Sequence, residues 1–105
     1  MMEEVDINIP SDISLTWAEE VIEICCAREA LRMTLKGTLN QYPESVHWHY
    51  KKGTGRGVLE ITLWLAKPRI WFKIHAGRKG DGMRKTIPRL KSAIEDGLIF
   101  ANSRL

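Results

Sequence analysis

The chain has 105 residues, is 44% hydrophobic and 28% charged, and carries a formal net charge of +3. That composition excludes an intrinsically disordered chain, and no apolar run approaches the roughly 20 residues of a membrane-spanning helix. The length predicts a single domain over residues 1–105.

The charge is unevenly spread. Residues 1–45 hold nine acidic and three basic side chains, whereas residues 46–105 hold thirteen basic and four acidic ones. A basic half can meet an anionic partner, or it can be neutralised by the acidic half of the same molecule. The opening MMEEVDINIP is acidic and lacks the apolar core of a signal peptide. Cys25 and Cys26 are adjacent and cannot easily bridge each other, so reduced thiols and a cytoplasmic location are expected, with no membrane association.

Residues 1–15 read as an arm or short strand, because Val5, Ile7 and Ile9 alternate with Asp6 and Asn8 before Pro10. Thr16-Trp17-Ala18-Glu19 has the spacing of a capping box. Good helix formers follow, and Ala27, Leu31, Leu35 and Leu39 recur every four residues, which predicts a helix over 16–40. Val21–Cys26 is apolar enough to read instead as a buried strand, and a break in mid-helix is compatible with the pattern.

Residues 45–76 read as three antiparallel strands. Val46–Tyr50, Val58–Leu65 and Arg69–Ala76 each alternate with a period of two, the signature of a sheet with one buried face. Setting Leu65 opposite Ile70 places Trp64 against Trp71, Thr62 against Lys73 and Glu60 against His75. Met83, Ile87, Leu90 and Ile94 then fall at helical spacing, with Asp81 as N-cap, Pro88 as an interruption and Gly97 as the C-terminal stop, giving a helix over 82–97.

The expected fold is therefore α+β: a two-layer α-β-β-β-α arrangement with a three-stranded meander, both helices on one face, and an additional N-terminal strand if the arm pairs. This element order is similar to that of double-stranded-RNA-binding domains, which place basic residues at the start of the last helix. Those domains carry a histidine in the first hairpin loop and a Lys-Lys-x-Ala-Lys run. Here the loop has no histidine and the helix opens Met83-Arg84-Lys85-Thr86-Ile87-Pro88, so the likeness is one of topology.

Function is sought on the uncovered sheet face. Lys51, Lys52 and Arg56 at the first hairpin, Arg69 and Lys73 on the third strand, and Arg78, Lys79, Arg84, Lys85 and Arg89 near the last helix suit phosphate contacts, with Trp64 and Trp71 as stacking platforms. A small nucleic-acid- or polyanion-binding protein is the first expectation, without a cofactor. Two exposed indoles would equally suit a homodimer or another protein interface. A third reading is a metal- or His/Glu-dependent hydrolase. His49, Glu60 and His75 would be its acid/base candidates, and His47, His49 and His75 its metal ligands. Against it, His75 lies two strands, roughly 9–10 Å, from the first strand, so Glu60 would have to bridge.

Overall fold

The computed structural model describes residues 2–11, 14–75 and 82–103. The elements are β1 (Met2–Asp6), α1 (Ala18–Arg28), β2 (Leu31–Gly37), β3 (Ser45–Lys52), β4 (Val58–Trp64), β5 (Arg69–His75) and α2 (Met83–Ser103). All strand pairs are antiparallel, in the spatial order β1-β5-β4-β3-β2. The α+β class is as expected, with β2 to β5 forming a meander. The N-terminal strand pairs with β5, and a fifth strand, β2, joins the other edge, so the order departs from that of double-stranded-RNA-binding domains.

The expected helix over 16–40 ends at Arg28. Ala30 takes a left-handed φ of 58°, which turns the chain out of the helix and into β2. Leu31, Met33 and Leu35 alternate with Arg32, Thr34 and Lys36, and this strand period competes with the four-residue period in the same letters. The unpaired edge of β3 decides in favour of the strand. Val21–Cys26 is helical, not a strand. The capping box does not form. Trp17 is the N-cap without a side-chain bond, and Thr16 is instead engaged with the Ser14 hydroxyl.

One face of the sheet is the core. Trp48 and Tyr50 of β3, Leu59, Ile61 and Leu63 of β4, and Ile70, Phe72 and Ile74 of β5 are buried with Ile22 and Cys26 of α1 and Ile87, Leu90 and Ile94 of α2. Both helices therefore cover the same face. Trp48 donates its Nε1–H to Glu23 Oε2 at 3.0 Å, and Lys36 Nζ lies 2.6 Å from the same oxygen. Burial alone would raise the Glu23 carboxyl, but these two donors outweigh it and hold the group below its ordinary value. Burial pushes the Cys26 thiol up to about 12, so this cysteine is packing and not a nucleophile.

Helix α2 passes through Pro88 and continues to Ser103, so Gly97 does not end it. Gly97 instead packs closely against α1. A Cβ there would lie 2.8 Å from Val21 Cγ1 and 3.9 Å from Cys25 Sγ. Asp81 and the glycine-rich turn before α2 lie outside the described residues, apart from Gly82.

The β4–β5 register differs from the expected one by two residues while preserving the faces. Leu63 opposes Ile70, Thr62 opposes Trp71, Glu60 opposes Lys73 and Val58 opposes His75. This alignment matches three inward side chains against three (Leu59, Ile61 and Leu63 against Ile74, Phe72 and Ile70), leaving Leu65 in an exposed turn with Pro68, which has no ladder N–H to give.

Candidate functional site

The outer face is a grid fixed by the registers. At one end Arg32 pairs with Lys51, and Val58 with His75, just beyond the Tyr50–Leu59 pair; the next row runs Leu35, His49, Glu60, Lys73, Glu4; the next Gly37, His47, Thr62, Trp71, Asp6. A bulge between Met33 and Leu35 sets the β2 contribution. It returns Lys36 to the helix side, where it meets Glu19 and Glu23, and leaves Leu35 outward beside His49.

All three histidines converge on Glu60. His47 Nε2 and His49 Nε2 are 3.0 Å apart, and they lie 3.4 Å and 3.8 Å from Glu60 Oε1. His75 Nε2 bonds the other oxygen, Oε2. From β4, the one strand between β3 and β5, the carboxylate thus links the β3 histidines to His75 through a diagonal contact across the sheet. His47 is buried, and its Nδ1 meets Thr62 Oγ1 at 2.8 Å. Burial lowers the His47 pKa; Glu60 opposes that shift, while His49 and Lys73 add to it. Beside the cluster lies an open pocket of about 430 Å³, walled by Leu35, Leu39 and the Gly37-Thr38 backbone and floored by His47, His49 and Glu60.

The tryptophans are not an exposed pair. Trp71 is only 2% exposed: Tyr42, from the β2–β3 loop, packs edge-on against both Trp71 and Trp64, with ring centroids 5.2 Å and 4.9 Å away. The Arg69 guanidinium lies 4.2 Å from the Trp71 ring centroid, and Trp64 donates Nε1–H to the Pro43 carbonyl. The motive for a homodimer through two bare indoles is thereby removed, because the same chain covers the face there. The covering layer comes from the β2–β3 loop, with Glu44 at a left-handed φ of 66° just before β3.

The expected basic residues divide into two groups. Arg69 pairs with Glu4 and Asp6, Arg84 with Glu3, Arg89 with Glu29, and Lys52 donates to the Glu29 carbonyl. The acidic N-terminal half thus neutralises much of the basic half. Lys51, Arg56, Lys73 and Lys85, together with Arg32, form no ion pair among the described residues. Arg78 and Lys79 lie outside the described residues. Sequence reasoning missed Arg32, Leu35 and Tyr42 as parts of this face because it placed the first two on a helix; the two-residue period of Leu31–Gly37 was the signal available.

Comparison with protein-family models, with curated proteins and with solved structures finds no match for this chain. Among the described residues no helix is long and apolar enough to cross a membrane.

Proposed function

We propose that this protein binds an extended anionic ligand, a nucleic-acid strand, on the outer face of its sheet. The observation that carries the reading is the in-register pair Arg32 and Lys51, with His75 and Lys73 on the same outer face. Like charges set directly opposite one another destabilise a sheet. A phosphate seated between them converts that repulsion into attraction, and contacts of this type position a protein on a nucleic acid. Arg56, on the adjoining β3–β4 loop, extends the patch. The helix-side cations contribute little, because Arg84 and Arg89 already face carboxylates of their own chain.

Counterion release makes such binding salt-dependent. A fluorescent single-stranded RNA should bind at about 50 mM salt and weaken steeply towards 200 mM. Arg32→Ala, Lys51→Ala and Lys73→Ala should each lower the log–log salt slope by about 0.7. Arg84→Ala and Arg89→Ala should leave that slope unchanged. Equal losses from the α2 variants, or no binding at the lower salt, would refute the assignment.

A further inference from the structure

We infer that His47, His49 and Glu60 form a binding site for one divalent first-row transition-metal ion, with zinc the best match. This site adjoins the cationic patch and touches it through His75, which bonds Glu60.

The three donor atoms have the spacing of a tetrahedral face. Ligand atoms at about 2.0–2.1 Å from a tetrahedral ion are separated from one another by about 3.3 Å. The three separations among His47 Nε2, His49 Nε2 and Glu60 Oε1 are 3.0, 3.4 and 3.8 Å, which bracket that edge length. The triangle is built on neighbouring strands. His47 and His49 alternate on β3, and Glu60 is the register partner of His49 on β4, so the backbone holds all three donors without help from a loop.

Two of the three donors are also held by a hydrogen-bond partner behind them. A metal-ligating histidine usually donates its other ring N–H to a fixed acceptor, which sets the tautomer and turns the bare nitrogen towards the ion. His47 has that partner in Thr62 Oγ1, 2.8 Å from Nδ1. With the proton on Nδ1, His47 Nε2 is a lone pair aimed at the centre of the triangle. The ligating carboxylate is likewise anchored, since His75 Nε2–H donates to Oε2 and leaves Oε1 to face the two imidazoles. Lys73 opposes Glu60 in register but forms no ion pair with it, so Oε1 is not claimed by a cation. With His47 Nε2 bare, the 3.0 Å contact requires His49 Nε2–H to donate to it in the metal-free network. On metal binding that proton leaves Nε2, and the half-exposed His49 ring can carry it on Nδ1.

A fourth ligand would have room on the pocket side. The triangle opens on the pocket of about 430 Å³ between Leu35 and Leu39. Two imidazoles, one carboxylate and a position open to solvent form the donor set of a zinc site that keeps an exchangeable ligand, whereas closed structural sites use four protein donors. Nitrogen and oxygen donors of this kind also disfavour Mg²⁺ and Ca²⁺, which take oxygen ligands.

The test is titration of the full-length metal-free protein with Zn²⁺ against a chromophoric chelator, and with Co²⁺ followed by its visible absorption. The expected result is saturation at one ion per chain, with the intense ligand-field bands of a four-coordinate Co²⁺ site. His49→Ala and the near-isosteric Glu60→Gln should each weaken binding beyond the roughly 10–100-fold that losing an outer-shell partner costs, and His75→Ala should fall within that range. Glu20→Gln, on the exposed side of α1, should match wild type. Circular dichroism of each variant verifies the fold. Absence of saturable uptake, six-coordinate Co²⁺ bands, or undiminished uptake by folded Glu60→Gln protein would overturn the assignment.

Discussion

Trp48→Ala is expected to lower the unfolding free energy by about 3–5 kcal/mol, the range for deleting a buried aromatic ring. Trp48 is fully buried on β3, opposite Ile61 of the central strand β4, and bonds Glu23 of α1. Its loss leaves a cavity between sheet and helix and removes the Nε1–H that Glu23 accepts. Such a change consumes a large part of the 5–15 kcal/mol typical of a small domain. Ile24→Ala is the comparison: Ile24 is 52% exposed on the same helix and should change stability by no more than about 0.5 kcal/mol. Trp48→Phe separates packing from the hydrogen bond. The Glu23 carboxyl is depressed in the folded state, so its contribution is present above the ordinary carboxylate range and is lost as the pH falls through it. Without the indole donor this contribution shrinks. Urea denaturation at neutral and acid pH should therefore show a smaller acid-induced loss in Trp48→Phe than in wild type.

The second large effect is expected at Gly97. Alanine is the better helix former by about 0.8–1 kcal/mol, so on an open helix this substitution would stabilise. Here the new methyl would meet Val21 Cγ1 at 2.8 Å, and the β-branched valine has little rotamer freedom with which to yield. Overpacking of this kind costs about 1–3 kcal/mol. Gly97→Ala should therefore be net destabilising, and Gly97→Val more so. Adding Val21→Ala removes the obstructing methyl. The double variant should recover part of the loss, giving a favourable coupling in a double-mutant cycle followed by thermal unfolding. Simple additivity would show that the two helices do not cross at this point.

The sheet faces were legible from the alternation in residues 45–76, because a period of two assigns each side chain to a face whatever the exact register. For that reason His47, His49, Glu60 and His75 share one face in either register, and the two-residue shift between β4 and β5 turns the expected direct Glu60–His75 pair into a diagonal one without separating them. Residues 29–37 were less legible. Their letters carry a strand period and a helical period together, and Ala30's left-handed turn is stabilised by the fold, not by a glycine that would announce it. The covering of Trp71 could not be read either, since Tyr42 reaches it from a loop whose path depends on β2 being a strand. Nor did the spacing of basic residues reveal which would be neutralised. Arg69 and Arg84 find Glu3, Glu4 and Asp6 only because β1 lies beside β5.

If the outer sheet face is the binding surface, a bound strand must perturb that face and leave α2 alone. The most direct measurement is an amide-resolved NMR titration of the full chain with a short single-stranded RNA at about 50 mM salt, where phosphate contacts are strongest. Shifts should concentrate at Arg32, Lys51, Val58, Lys73 and His75, with α2 residues around Arg84 and Arg89 unmoved. Shifts centred on α2, or a spectrum unchanged at saturating RNA, would contradict it.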